Sequence, residues 1–63
     1  MYHWVIQMMR GVYTAYGPYK TSEAARNRYD KTKGGRISLF TCNESDHEKA
    51  VQEFKLQESR GLV

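Results

Sequence analysis

Hydrophobic and polar positions divide the chain into five segments. Residues 2–9 are rich in aromatic and branched side chains, which predicts a strand. Because side chains alternate along a strand, its two faces are Tyr2, Trp4, Ile6 and Met8 on one side and His3, Val5, Gln7 and Met9 on the other. Arg10 and Gly11 are typical of a tight turn, and residues 12–16 return as a second strand.

The stretch Gly17-Pro18 predicts the end of this second strand, because proline cannot donate to a sheet ladder. Thr21 or Ser22 can then cap a helix. That helix runs from residue 21 to about residue 33 and places Ala25 and Tyr29 on its inward face. Gly34-Gly35 follows and ends it.

Residues 36–42 alternate again and predict a third strand. A capping box follows, in which Ser45 caps and Glu48 reaches back. We expect a helix from residue 46 to about residue 59 that buries Ala50, Val51 and Phe54. Gly61 ends it, and Leu62 is expected to fold back onto its last turn.

The order β-β-α-β-α predicts a single small α+β domain over residues 1–63. We expect a three-stranded mixed sheet with the two helices packed mainly on one face. The strand order remains open between 1-2-3 and 3-1-2. A sheet covered on one side has a free second face, and two short helices cannot cover every aromatic side chain of the strands. The aromatic residues are therefore either core or interface.

Chain length and cysteine content limit the stability expected of the protein and the compartment in which it would work. A chain of 63 residues buries a small core and is expected to be marginally stable alone, so a partner protein or a second copy would stabilise it. The single cysteine, Cys42, excludes an internal disulfide and favours a reducing compartment. No apolar run reaches the roughly 20 residues of a membrane span, and residues 1–4 lack the character of a signal peptide. We expect a cytoplasmic protein without membrane contact.

Candidate chemistry is sparse. His3, His47 and Cys42 are the only imidazole and thiol groups, fewer than the four ligands of a structural zinc site. Cys42 is interpreted as a small buried or half-buried thiol and His47 as an ordinary surface histidine, rather than as a nucleophile and its base. The sequence predicts a protein that is not an enzyme and that uses no cofactor, metal or catalytic residue.

Charge is unevenly distributed. Residues 10–36 carry seven basic and two acidic side chains, whereas residues 37–63 carry three basic and five acidic ones, for a net charge of +3. Basic groups neutralise phosphates, and exposed tyrosines stack on unpaired bases. One hypothesis is therefore a nucleic-acid-binding domain that uses the basic helix. Its contact residues would be Lys20, Arg26, Arg28, Lys31, Lys33 and Arg36.

The favoured hypothesis is a small intracellular protein-interaction module, because aromatic residues and arginine dominate interface energetics. Its contact residues would be Trp4, Arg10, Tyr13, Tyr16, Tyr19 and Lys20. The partner would be a foreign protein or a second copy of the chain as a homodimer.

Residues 12–25, VYTAYGPYKTSEAA, are about a fifth of the chain. They resemble an element in which a strand ends in Gly-Pro-aromatic and Ser/Thr-x-Glu-Ala opens a helix. The sporulation-related peptidoglycan-binding repeat contains such an element, and so do many small uncharacterised phage proteins. The whole chain looks more like a small phage or mobile-element product. That resemblance implies a stoichiometric binder, for instance a modulator of a host enzyme.

Overall fold

A computed structural model of the protein describes residues 1–61. Its elements, in chain order, are β1 (Tyr2–Met9), β2 (Val12–Tyr19), α1 (Ser22–Lys31), β3 (Arg36–Cys42) and α2 (His47–Ser59). The predicted α+β class and β-β-α-β-α order are confirmed. Leu62, with its expected contact, lies outside the described residues.

The three strands form one sheet in the order β2-β1-β3, which is the second of the two orders that the sequence left open. β1 pairs antiparallel with both neighbours, so the sheet is antiparallel and the expectation of a mixed sheet is wrong. The physical reason is that β2 and β3 run in the same direction but never pair. β1 lies between them, and α1 carries the chain across it.

The hairpin between β1 and β2 closes at the predicted turn. Arg10 has φ 53° and Gly11 has φ 80°, and two successive positive values are what a two-residue type I′ turn requires. β2 then continues to Tyr19, so the expectation that Gly17 and Pro18 end it is wrong. Proline is tolerated because β2 is an edge strand. Opposite His3–Val5 the register is irregular, because β2 has one residue more than β1 between the paired positions.

One face of the sheet packs against α2. The buried cluster on this face is Trp4, Ile6, Phe40, Cys42, Ala50 and Phe54. The Phe54 ring meets Phe40 edge-on at 5.3 Å and Tyr13 at 6.1 Å between centroids. The indole N–H of Trp4 donates to the backbone carbonyl of Glu44 at 3.0 Å. This hydrogen bond satisfies the one polar atom of the Trp4 side chain, which is fully buried.

The opposite face packs against α1, whose Ala25 is buried. Val5 is 0 % exposed and Gln7 only 7 %, and both point away from the α2 side because side chains alternate along β1. The Gln7 side-chain amide donates to the carbonyls of Lys33 at 3.0 Å and Gly34 at 2.8 Å, just beyond α1. The expectation that both helices lie mainly on one face is therefore wrong. A single strand with both faces buried needs a helix on each side.

The helix termini differ from the prediction in detail. Thr21 caps α1, accepting from the Ala24 N–H at 3.2 Å, as one of the two predicted alternatives. At α2 the cap is Asp46, which accepts from the Lys49 N–H at 3.3 Å, so the predicted Ser45 capping box is wrong. Aspartate and serine are equally good caps, and here the helix begins one residue later.

Gln7 is predicted to be the main polar contribution to stability, because it also accepts from the Tyr16 hydroxyl at 2.9 Å. Gln7→Ala leaves two carbonyls and one hydroxyl without this partner. We expect a loss of about 2 kcal/mol in the free energy of unfolding, measured by chemical denaturation.

The matched control is Gln52→Ala on the exposed side of α2, which should change stability by less than about 0.5 kcal/mol. Tyr16→Phe should cost less in the Gln7→Ala background than in the wild type, since the hydroxyl has then already lost its acceptor. Equal losses from the two glutamine variants would contradict this assignment.

Candidate functional site

A cleft lies where the end of β2 meets one side of α1. Its lining residues are Tyr19, Ala24, Asn27, Arg28 and Lys31, around a volume of about 350 Å³. The four helical residues share one side because they are spaced three and four apart. We call this feature the α1 cleft; it combines one aromatic ring, one amide and two cations.

Arg28 is held in place by an aromatic ring. Its guanidinium carbon lies 4.7 Å from the centroid of Tyr16, and the Tyr16 hydroxyl is anchored on Gln7. A guanidinium stacked on a ring keeps its in-plane N–H donors available to an anion. Within residues 1–61 the ion pair found is Arg36–Glu58, so neither Arg28 nor Lys31 is neutralised by a carboxylate there.

The two helices carry opposite net charge on opposite faces of the sheet. Residues 20–33, which contain α1, have five basic and two acidic side chains. Residues 44–60, which contain α2, have five acidic and three basic ones. Because the sheet separates these layers, the charge asymmetry of the sequence becomes a spatial asymmetry. The α1 cleft opens on the basic side.

The structure gathers only part of the predicted nucleic-acid set. Arg28 and Lys31 line the cleft, and exposed Lys20 follows Tyr19 directly. Lys33 is exposed just beyond α1, while Arg26 lies on a different side of the helix because it is two residues from Arg28. Arg36 belongs to the other layer, where its guanidinium donates to the Glu58 carboxylate.

The predicted protein-contact set does not form one surface. Trp4 is 0 % exposed, so it is a core residue and is removed from the set. Tyr13 packs on the α2 side, whereas Tyr16 and Tyr19 lie towards α1. Arg10, in the hairpin turn, and Lys20 lie beyond opposite ends of β2, whose eight residues span roughly 23 Å when extended. The second sheet face, which the sequence predicted to be free, is covered by α1 at its centre. Large side chains on the same face stay exposed around α1, namely Met9, Val12 and Leu39.

Tyr13 forms a polar network with two charged residues. Its hydroxyl donates to Glu58 Oε1 at 2.6 Å, and the second oxygen of that carboxylate accepts from Arg36. The hydrogen bond to Glu58 raises the pKa of Tyr13 above its ordinary value, and desolvation and the Glu58 charge add to this. The positive charge of Arg36 opposes the shift. Tyr13 therefore acts as a neutral donor that ties β2 to α2.

A second and larger cavity was missed by sequence reasoning. It lies between the outer edge of β2 and α2, with a volume of about 460 Å³. The lining residues are Tyr13, Thr14, Ala15, His47, Glu48, Val51, Gln52 and Lys55. We call it the β2–α2 groove. The polar residues of α2 did not indicate this groove in the sequence. A groove beside a strand edge can be predicted only when the strand order is known.

Cys42 and His47 make different contacts. Cys42 is buried at the end of β3, and His47, in the first turn of α2, meets the Trp4 ring at 5.1 Å between centroids. Among residues 1–61 no cluster of three or more histidine, cysteine or acidic side chains is arranged to hold a metal ion. Neither α1 nor α2 is long and apolar enough to cross a bilayer.

Comparison of the chain with protein-family models, with curated protein sequences and with solved structures gave no match. The arrangement of its own residues is therefore the basis for any assignment of function.

The pKa of Tyr13 provides a test of the Tyr13–Glu58 contact. The pKa of Tyr13 in the folded protein lies above the ordinary value of 10.0, which also applies to the unfolded chain. With Glu58 ionised, the stabilisation from the Tyr13–Glu58 hydrogen bond is therefore fully present at pH values below 10.0. It is lost as the pH rises through the folded-state pKa. The tyrosinate absorbance of the wild type minus that of Tyr13→Phe should show a midpoint above 10.0. In a Glu58→Gln background the same difference should titrate at lower pH; an unchanged midpoint would refute the assigned cause.

Proposed function

We propose that the protein binds single-stranded nucleic acid through the α1 cleft. The observation that carries this proposal is the convergence of the Tyr19 ring with two cations, Arg28 and Lys31, on the basic layer. A phosphate backbone is attracted by the cations, and an unpaired base stacks on the ring. Neither interaction requires chemistry beyond binding.

The composition of the cleft favours single strands over a duplex. Stacking on Tyr19 needs a base that is splayed out of its helix. Asn27 offers an amide that both donates to and accepts from the edge of such a base. The stacked Arg28 guanidinium offers a planar fork that matches a phosphate.

The size of the basic surface sets the strength of the salt dependence. Three cations lie at the cleft or beside it, namely Lys20, Arg28 and Lys31. Neutralising about three phosphates of a single strand gives a slope of about −2 for log K against log salt. Affinity should therefore fall by roughly 15- to 20-fold between about 50 and 200 mM salt. Such a ligand would be met in the cytoplasm, the compartment predicted from the sequence.

Titration with an oligothymidylate at low salt tests the proposal. Backbone amide signals of Tyr19, Asn27, Arg28 and Lys31 should shift in heteronuclear NMR spectra as the oligonucleotide is added. Lys31→Glu should weaken binding more than tenfold, because it replaces a phosphate contact by a like charge. Tyr19→Ala should weaken it about tenfold through lost stacking.

The matched control is Lys49→Glu, which makes the same change in net charge on the acidic layer. It should leave affinity within about twofold of the wild type, apart from weak long-range screening. Equal weakening by Lys31→Glu and Lys49→Glu would reduce the effect to net charge and contradict the proposal. So would an absence of shifts at low salt.

An acidic protein segment could bind the same cations. The Tyr19→Ala variant distinguishes this ligand from a nucleic acid. Loss of the ring weakens the nucleic acid through stacking, whereas it leaves a purely ionic contact with Arg28 and Lys31 intact. Oligothymidylate binding that is indifferent to Tyr19→Ala would therefore contradict the stacking contact.

A further inference from the structure

We propose that the β2–α2 groove binds an extended peptide segment of a partner protein, which adds to β2 as a fourth strand of the sheet. This surface shares no residue with the α1 cleft. It therefore goes beyond the proposed nucleic-acid function and is independent of it.

The edge of β2 specifies an extended ligand. In residues 1–61 β2 pairs with β1 alone. The two-residue turn makes Met9 and Val12 the hydrogen-bonded pair that closes the hairpin. Alternation along the ladder then points the N–H and C=O groups of Tyr13 and Ala15 away from β1. Four backbone groups thus face outward, and a further strand is the ligand that pairs with all of them.

The groove lies beside those same two residues. Tyr13 and Ala15 line it from the sheet, and Val51 and Lys55 line it from α2. A strand paired with β2 would place every second side chain against this helix. Recognition of a peptide between a sheet edge and a helix combines backbone hydrogen bonds for affinity with side-chain contacts for specificity.

The length of the usable edge is limited on one side. Residues 12–16 are in regular register with β1, whereas Pro18 lacks the N–H of a ladder donor. The added strand is therefore centred on Thr14 and spans about five residues. β3 is the other edge, but the cavity beside its Leu39 and Thr41 is about 230 Å³, half the volume of the groove.

Charges along α2 determine the order of apolar and acidic residues that the peptide should have. His47 contacts Trp4, and Lys55 Nζ lies 4.7 Å from the Tyr13 ring centroid, so α2 runs antiparallel to β2. In a peptide antiparallel to β2, an apolar residue opposite Ala15 would face Val51. Two residues later, opposite Tyr13, an acidic residue would face Lys55. Glu48, at the Ala15 end, disfavours the reverse order.

The probe is the blocked peptide acetyl-Thr-Thr-Val-Thr-Glu-Thr-Thr-amide, with the valine and glutamate exchanged as the control. Added at millimolar concentration to the labelled protein, it should move the amide protons of Tyr13 and Ala15 downfield as they gain acceptors. The Thr14 amide, which already bonds to β1, should move much less. The exchanged peptide should bind at least threefold more weakly.

Matched proline variants test the edge. Ala15→Pro removes an outward donor of β2 and should abolish the shifts, whereas Leu39→Pro removes an outward donor of the β3 edge and should leave them intact. Lys55→Glu provides a variant that leaves the backbone of the strand unchanged, because Lys55 lies on α2 and contacts β2 only through its side chain. It should weaken the probe at least threefold, and a probe with lysine in place of glutamate should restore binding.

Three outcomes would overturn the proposal. One is the absence of shifts at Tyr13 and Ala15, and another is the appearance of shifts along β3 instead. The third is movement of the Tyr13 and Ala15 signals with protein concentration alone, which would assign the edge to a second copy of the chain. Loss of oligothymidylate binding bears only on the α1 cleft.

Discussion

The structure depends on a central strand that is buried on both faces. Trp4 and Ile6 are enclosed by α2, and Val5, between them, is enclosed on the side of α1. A strand in this position must have a neighbour at each edge and a helix on each face. Strand order, the crossover from β2 to β3 and the placement of both helices follow from that one requirement.

Both candidate surfaces are consequences of this arrangement. The sheet separates a basic helix from an acidic one, which confines Arg28 and Lys31 to one side of the molecule. Placing β1 in the middle also leaves β2 at an edge, with its outward backbone groups beside α2. At the centre of the sheet, the Gln7 side chain forms hydrogen bonds that join β1 to the segment just beyond α1 and to Tyr16. It thereby helps to fix the ring on which Arg28 rests.

Local signals in the sequence were sufficient for the elements but not for their faces. β1 was predicted from its aromatic and branched side chains, β3 from side-chain alternation, and the Arg10-Gly11 turn from turn chemistry. All three signals depend on neighbouring residues alone. α1 buries a single residue, Ala25, so its pattern is too weak to show which face of the sheet it covers. The signal that was available is the consecutive run Trp4-Val5-Ile6, which is typical of a strand buried on both sides.

The remaining differences have the same origin. Pro18 inside β2 is compatible with a strand only at an edge, and edges are known only when the strand order is known. The cationic residues of the nucleic-acid hypothesis were predicted as a class. Their partition between the cleft, the far side of α1 and the Glu58 ion pair depends on tertiary structure.

The most direct test of this account is the set of nuclear Overhauser contacts made by one side chain from each helix. We expect contacts from the Phe54 ring to Ile6 and from the Ala25 methyl group to Val5, because each helix contacts only its own face of β1. Contacts from both Ala25 and Phe54 to Ile6 would place the helices on one face. That result would remove the separation of charge on which the α1 cleft depends.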